Sequence, residues 1–258
     1  MTPLSVRGLY KNYGGVDAVS GVDFDVAAGE LLALIGPNGA GKSTCFNMLN
    51  GQITPNAGSI KLFGQELSGL TPRQIWRLGV GRTFQITATF GSMTVLENVQ
   101  MALISCHGRL RALWPYAGGL YREQARELLE LVGMQGQASR PCSVLAYGDL
   151  KRVELAIALA NDPKLLLMDE PTAGMAPRER IELMQLTADI VRTRAISVLF
   201  TEHDMDVVFR HANRVMVLSR GKKIAEGTPG EVRKNLSVQA IYLGSGVIHD
   251  QTKGEGAA

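Results

Sequence analysis

The stretch that decides the fold is residues 31–44, which read LLALIGPNGAGKST. Its first five residues are apolar at every position, and a glycine ends the run. Such a strand is typical of the centre of a parallel α/β sheet, where helices cover both faces. A glycine-rich run follows and leads into a predicted helix from Thr44 to Leu49. This order of strand, glycine loop and helix predicts a phosphate-binding loop.

The chemistry of phosphate binding explains the residue types in this loop. Glycines let backbone N–H groups turn toward phosphate oxygens, and a helix N-terminus adds unpaired donors and a positive dipole end. We expect Lys42 to reach the β- and γ-phosphates of ATP and Ser43 to ligate Mg²⁺. The loop residues expected to bind the nucleotide are Gly36, Pro37, Asn38, Gly39, Ala40, Gly41, Lys42, Ser43 and Thr44.

Two carboxylates follow a second apolar run. Asp169 and Glu170 come directly after Leu165 to Met168. Ligands of open α/β sheets bind at the carboxyl ends of the strands. We therefore expect Asp169 to hold Mg²⁺ through water, and Glu170 to orient or deprotonate the water that attacks the γ-phosphate. Without the upstream loop, two adjacent acids would be interpreted as surface charge.

The remaining pattern predicts an α/β fold with two additions. Weak alternation in Leu4 to Tyr10 and Val22 to Val26 indicates antiparallel strands, and a third apolar run at Ile196 to Phe200 extends the parallel sheet. Residues from about 94 to 153 show helical periodicity without strand patterns. We predict a P-loop nucleotide hydrolase, with a RecA-like parallel core, an N-terminal antiparallel β subdomain and an inserted α-helical subdomain. It forms one domain over residues 1–243, followed by a flexible tail, 244–258.

Composition excludes several classes of protein. The chain has 258 residues, of which 45% are apolar and 20% charged, as in ordinary globular proteins. A net charge of +3 is too small to indicate a dominant nucleic-acid surface. The longest uncharged stretch contains amide, proline and glycine residues that do not suit a membrane span, and the first residues lack a secretory pattern. Three widely spaced cysteines indicate reduced, structural thiols, so a cytoplasmic protein is expected.

Taken in order, these motifs resemble those of the ATP-binding subunits of ABC transporters, over nearly the whole chain from Leu4 to Leu243. The resemblance implies three further site residues. Tyr13, ahead of the loop, would stack on adenine. Gln85, at the end of GRTFQ, would touch Mg²⁺ and the attacking water and link the core to the helical part. His203, in TEHD at 201–204, would be the switch histidine that contacts the γ-phosphate.

The resemblance also identifies a signature loop, residues 145–149, read as LAYGD and followed by a predicted helix from Leu150 to Ala160. In the family this loop closes over the nucleotide of a second subunit in a head-to-tail dimer. The residues implied to contact that nucleotide are Ala146, Tyr147, Gly148 and Asp149. Ala146 lacks a hydroxyl, and a carboxylate facing a triphosphate would oppose binding. We therefore predict that Asp149 caps the following helix, and that the site completed by this loop hydrolyses ATP less well.

Within the family, the motifs GRTFQ, LAYG, EPTAGM and EHDM resemble those of branched-chain amino acid importers. The resemblance implies a subunit peripheral to the inner face of the cell membrane, seated under two permease subunits and paired with a second ATPase subunit. An external solute-binding protein would supply the solute. No nucleic acid is expected as a partner.

Other functions stay open at this stage. The partner permeases could carry urea, amides or aromatic acids, because the ATPase never touches the solute, and a lipid or polysaccharide exporter uses the same loop. A soluble ABC-type ATPase acting on ribosomes or nucleic acid, and a regulatory subunit with little catalysis, are further alternatives. The cluster Arg73, Arg77 and Arg82 is interpreted as a solvated helix face rather than a docking site for a permease or lipid.

Overall fold

The computed structural model describes residues 2–83, 89–107 and 119–243. Within these ranges the chain forms ten strands and nine α-helices. The strands are β1 Leu4–Tyr13, β2 Val16–Val26, β3 Leu31–Ile35, β4 Ala57–Leu62, β5 Gln65–Glu66, β6 Val80–Thr83, β7 Leu165–Asp169, β8 Ser197–Thr201, β9 Arg214–Ser219 and β10 Lys222–Gly227. The helices are α1 Lys42–Leu49, α2 Pro72–Arg77, α3 Val95–Cys106, α4 Arg122–Leu131, α5 Tyr147–Leu159, α6 Pro177–Arg194, α7 Met205–His211, α8 Pro229–Lys234 and α9 Leu236–Leu243.

The predicted central strand is the middle of a six-stranded sheet in the order β10-β9-β3-β8-β7-β6. All neighbours from β6 to β9 pair in parallel, whereas β10 pairs antiparallel with β9. Every residue of β3 is buried, with Leu32 and Leu34 in one apolar core and Leu31, Ala33 and Ile35 in the other. The continuous apolar run is therefore explained by a strand that is covered on both faces.

The N-terminal strands form a second sheet, in the order β2-β1-β4-β5, with antiparallel pairing. Its first two strands are longer than the predicted segments and meet at the Gly14-Gly15 turn. One core contains the apolar side chains of this sheet together with those of α1 and one face of the central sheet. The predicted N-terminal antiparallel β subdomain is confirmed. Its sheet packs against α1, the helix that follows the glycine loop.

Between residues 94 and 153 the described residues are helical, apart from turns and an isolated bridge between Thr94 and Pro141. Three predicted helix starts carry complete capping boxes, at Thr71, Thr94 and Thr228. At Thr94 the hydroxyl accepts from Glu97 N at 3.2 Å, and the Glu97 carboxylate accepts from Thr94 N at 2.8 Å. Each box satisfies two backbone donors that a helix leaves without intrahelical partners.

In the part of the chain that the structure describes, no helix is long and apolar enough to span a bilayer. The predicted flexible tail lies outside the described residues, so that prediction is not tested. The fold places the ends of β3, β7 and β8 side by side, because the three strands run parallel and are neighbours in the sheet. Residues that follow these strands therefore meet at one edge.

Candidate active site

The glycine loop fits its place only because two of its residues lack a side chain. A Cβ on Gly36 would lie 2.2 Å from the carbonyl oxygen of Leu218, and one on Gly41 would lie 2.3 Å from that of Ala18. These distances are far shorter than a van der Waals contact, so the loop backbone packs directly on β9 and β2. Gly39, with a φ of +77°, has no atom within 4 Å of such a Cβ. The loop is thus fixed at both ends and open at its middle.

Lys42 and Ser43 lie in the first turn of α1, which begins two residues before the predicted start at Thr44. The Lys42 ammonium donates to the carbonyl oxygens of Gly36 at 2.7 Å and Pro37 at 3.2 Å. Burial lowers the pKa of Lys42, and the negative charges of Glu170 and Asp169 oppose this shift. The lysine is therefore held inside the glycine loop and within electrostatic reach of both carboxylates. Its contact with the phosphates stays a prediction.

Asp169 ends β7, and Glu170 follows it with a φ of +50°, a region that residues other than glycine rarely adopt. The end of β8 holds this conformation. The Glu170 N–H donates to both the carbonyl and the hydroxyl oxygen of Thr201, at 3.1 and 3.0 Å. The same hydroxyl donates to Asp169 Oδ1 at 2.8 Å. Thr201, which the sequence analysis did not single out, therefore positions both acids.

His203 meets Glu170 across this edge. Its Nε2 atom lies 2.7 Å from Glu170 Oε1, and the imidazole is half exposed. The two residues belong to different strand ends, 33 positions apart in the sequence, so the contact depends on the pairing of β7 with β8. The structure thus brings together four predicted site residues: Lys42, Asp169, Glu170 and His203.

Arg82 occupies a different place from the one predicted. It is not on a solvated helix face, because it lies in β6, next to β7, and its guanidinium approaches Asp169 Oδ2 at 3.5 Å. The guanidinium also donates to Asn47 Oδ1 at 3.3 Å and Gln52 Oε1 at 3.1 Å. Burial lowers the pKa of Arg82, whereas Asp169 opposes the shift. The sequence around Arg82 contains no pattern that predicts its contacts with Asp169, Asn47 and Gln52.

The oxygen donors at this edge fit a magnesium ion. Ser43 is exposed at the start of α1, and Asp169 presents a carboxylate at the end of β7. Mg²⁺ prefers hard oxygen ligands and usually takes one or two protein ligands beside phosphate oxygens and water. The described residues contain no group of three or more His, Cys, Asp or Glu that could hold a metal, and a magnesium site of this kind needs none. Gln85, the third predicted ligand, lies outside the described residues.

Tyr13 ends β1 and is 46% exposed. The Lys11 ammonium lies 5.4 Å from the centroid of its ring, a distance at which a cation is attracted to the aromatic face. The tyrosine therefore presents an accessible aromatic surface beside a positive charge. Its stacking on adenine stays a prediction.

The signature loop packs against the loop that carries Gly174. A Cβ on Gly174 would be 3.3 Å from the Tyr147 ring, and a Cβ on Gly148 would be 3.1 Å from the carboxyl carbon of Glu179. Tyr147 nevertheless keeps 41% of its surface exposed, and Ala146 is exposed as well. The loop is thus anchored to its own chain on one side and open on the other, as a contact with a second subunit requires.

The prediction that Asp149 caps the following helix is wrong. The helix α5 begins at Tyr147, earlier than the predicted Leu150, and its N-cap is Ala146, which has no side-chain acceptor. Asp149 lies inside the first turn and makes no capping hydrogen bond. A negative charge in this turn still interacts favourably with the positive end of the helix dipole.

Comparison with known proteins agrees with this arrangement. A family model described as "ABC transporter" matches residues 19–173, more than half of the chain. The chain belongs to the ABC transporter ATPase family. It binds ATP and hydrolyses it, as the resemblance implied. A second model, "Branched-chain amino acid ATP-binding cassette transporter", matches residues 222–248 of this ABC ATPase.

Several curated relatives match nearly the whole length of this ABC ATPase. The high-affinity branched-chain amino acid transport ATP-binding protein LivG of Escherichia coli K12 is 40% identical over 93% of this chain and 97% of its own. The protein BraF of Pseudomonas aeruginosa, which carries the same description, is 38% identical over the same shares. The lipopolysaccharide export system ATP-binding protein LptB of Haemophilus influenzae is 34% identical over 95% of this chain and 98% of its own.

Solved structures confirm the fold. An ATP-binding cassette of an ABC transporter in its ADP conformation matches with a TM-score of 0.84 and 28% identity, over 95% of this chain and 99% of its own. A dimeric cassette in a post-hydrolysis state, bound to ADP and Pi, matches with a TM-score of 0.74 and 25% identity, over 88% of this chain and 98% of its own. The predicted P-loop hydrolase fold is therefore confirmed.

Proposed function

We propose that this ABC ATPase powers the import of branched-chain or related hydrophobic amino acids through two permease subunits, at the inner face of the cell membrane. It pairs head to tail with a second ATPase subunit, and an external solute-binding protein delivers the solute. The description of LivG and BraF and the match of the C-terminal residues to the branched-chain model support the solute class. The 34% identity to LptB favours one alternative, lipid export.

The proposed mechanism of ATP hydrolysis rests on one observation: four residues lie together at one edge of the sheet, namely Lys42, Asp169, Glu170 and His203. We assign Lys42 and the loop N–H groups to the phosphates, and Ser43, Asp169 and Gln85 to Mg²⁺, which would neutralise negative charge on the phosphate oxygens. Glu170 orients or deprotonates the attacking water, and His203 contacts the γ-phosphate and fixes the glutamate. Phosphoryl transfer requires mainly positioning and charge stabilisation, which fixed groups of this kind provide.

The other predicted contacts complete this assignment. We assign Tyr13 to the adenine ring, and Ala146, Tyr147, Gly148 and Asp149 to the nucleotide of the second subunit. Two ATP molecules then lie between two ATPase subunits, and their binding closes the subunits and switches the access of the permeases. Hydrolysis then opens the two subunits again. The exposed side of the signature loop supports this contact across subunits.

The test begins with the assembly. A tagged chain is purified from gently solubilised native membranes, and the polypeptides that accompany it are identified. We expect two polytopic membrane proteins and a second ATPase. The complex is then placed in vesicles, and ATP-driven uptake of labelled leucine, isoleucine and valine is compared with that of urea. Purification with ribosomes or nucleic acid, or alone, would overturn the transport proposal, and stimulation by lipopolysaccharide instead of amino acids would favour export.

A further inference from the structure

A buried carboxylate that the reaction scheme does not use bonds to the two loops that carry the Glu170–His203 pair. Glu202 is 4% exposed. Its Oε1 atom accepts from the backbone N–H of Thr172 at 2.9 Å and from the Thr172 hydroxyl at 2.7 Å. Its Oε2 atom accepts from the backbone N–H of His203 at 3.3 Å. A single side chain thus bonds to the backbones of two loops.

These two loops carry the residues assigned to hydrolysis. Thr172 comes two residues after Glu170, and the N–H that reaches the second carboxylate oxygen is that of His203 itself. The loop of Thr172 continues to Gly174, where an added Cβ would lie 3.3 Å from the Tyr147 ring of the signature loop. The carboxylate of Glu202 therefore bonds to the chain next to both members of the catalytic pair, and the Thr172 loop leads on to the signature loop.

The burial of this group is not explained by stability alone. Burial raises the pKa of Glu202, and the neighbouring carboxylate of Asp204 acts in the same direction, whereas the bonds from Thr172 and His203 oppose it. A buried carboxylate is unfavourable unless hydrogen bonds satisfy it. An apolar side chain would fill the same space without that cost, but it could not fix the direction of two backbone N–H groups.

We propose that Glu202 is a positioning residue, which holds the His203 loop and the Thr172 loop in one register so that the Glu170–His203 pair keeps its geometry. The inference rests on the proposed roles of Glu170 and His203. Glu202 does not touch the reacting atoms itself. It acts through the backbone on either side of the pair.

Thr172→Val tests this with little change in shape. Valine removes the hydroxyl donor to Glu202 and keeps the branched side chain and the backbone N–H. Thr187→Val is the matched control, because Thr187 is as buried as Thr172 and its hydroxyl donates to Leu183 O within its own helix α6, at 2.9 Å. Thr172→Ser restores the hydroxyl and serves as the conservative rescue.

The measurements are made on the full-length chain in its complex. We expect Thr172→Val to lower kcat about tenfold with KM for ATP changed by less than about twofold, since misplacement of reacting groups reduces turnover more than binding. Thr172→Ser should recover the turnover, and Thr187→Val should keep it. The NMR signals of the His203 imidazole should shift in Thr172→Val and not in Thr187→Val.

Glu202→Gln provides a second variant. An amide has one acceptor oxygen. The oxygen of glutamine can therefore accept from Thr172 or from the His203 N–H, but its NH₂ group then faces the remaining donor. We expect kcat to fall at least as far as in Thr172→Val, with the same small change in KM. Wild-type kcat in Thr172→Val and Glu202→Gln, an equal loss in Thr187→Val, or an unchanged His203 signal would overturn the positioning role. If Glu170→Gln also kept wild-type turnover, the proposed roles of the catalytic pair would fail instead.

Discussion

The Nε2 atom of His203 and the Oε1 atom of Glu170 are 2.7 Å apart, and this hydrogen bond joins the loops that follow two neighbouring parallel strands. The register of the strands sets the distance, because Asp169 pairs with Thr201 and each functional residue follows within two positions. The unusual backbone of Glu170, with its positive φ, is held by Thr201. The geometry of the pair therefore depends on the pairing of the two strands and not on either loop alone.

Replacement of Glu170 by glutamine should abolish turnover and preserve nucleotide binding. Glutamine has the same shape and can still accept a bond from His203, but it cannot take a proton from water. We expect kcat for ATP to fall by a factor of about 100 to 10,000, the range for loss of a general base. Steady-state phosphate release measures turnover, and a fluorescent ATP analogue measures affinity.

A matched control is Glu123→Gln, because Glu123 lies exposed on α4 and, among the residues that the structure describes, pairs with Arg126. It should hydrolyse ATP as the wild type does. Turnover of Glu170→Gln close to that of the control would show that the water is activated elsewhere.

Arg82→Met should destabilise the protein more than Arg77→Met. Methionine would leave Asp169, Asn47 and Gln52 without the guanidinium that they share, and the loss of one member of a partly buried ion pair costs about 2 kcal/mol. Arg77 is exposed on α2, and its replacement should change the free energy of unfolding by about 0.5 kcal/mol or less. Urea unfolding of both variants measures the difference, and equal stabilities would contradict the bridging role.

Gly41→Ala and Gly39→Ala separate steric contact from backbone conformation. Both glycines have positive φ, but only at Gly41 would the methyl group meet a carbonyl oxygen, that of Ala18. We expect the free energy of unfolding to fall by about 1 kcal/mol in Gly39→Ala, because of the backbone conformation alone. In Gly41→Ala it should fall by about 3 kcal/mol, because the clash is added. The free energies of unfolding give the comparison. Similar losses in both variants would mean that the loop moves away from β2 at little cost.

The sequence predicted the fold and the centre of the site because each depends on local order. Apolar strands followed by a glycine loop and by Asp169-Glu170 define one sheet edge without knowledge of any contact, and the family resemblance adds His203. The contacts of Thr201 and Glu202 were not predicted and Arg82 was misplaced, since these contacts arise from pairing between strands that are distant in the sequence. Asp149 was misassigned because the start of α5 depends on its packing and not on a capping residue.

Thiol labelling should distinguish the three cysteines. Cys45 and Cys142 are buried, Cys106 is partly exposed, and burial raises the pKa of the Cys45 thiol to about 12. Since the thiolate is the reactive form, iodoacetamide at pH 8 should modify Cys106 first in the native protein, and the other two only after unfolding. Peptide mass spectrometry identifies the site. Native labelling of Cys45 at a rate similar to that of Cys106 would contradict the packing of α1.

Glu202 should give the protein a measurable pH dependence of stability. Burial raises its pKa above the ordinary value of 4.5, so the folded state binds a proton at a pH where the unfolded chain has released it. Its contribution to stability is therefore fully present below that value and is lost as the pH rises through the raised pKa. Glu202→Gln lacks this titration. The free energy of unfolding of the wild type minus that of the variant should fall as the pH increases from about 4.5. Subtraction cancels the groups that titrate in both proteins, and a difference that stays constant or rises with pH would show that the three hydrogen bonds outweigh burial.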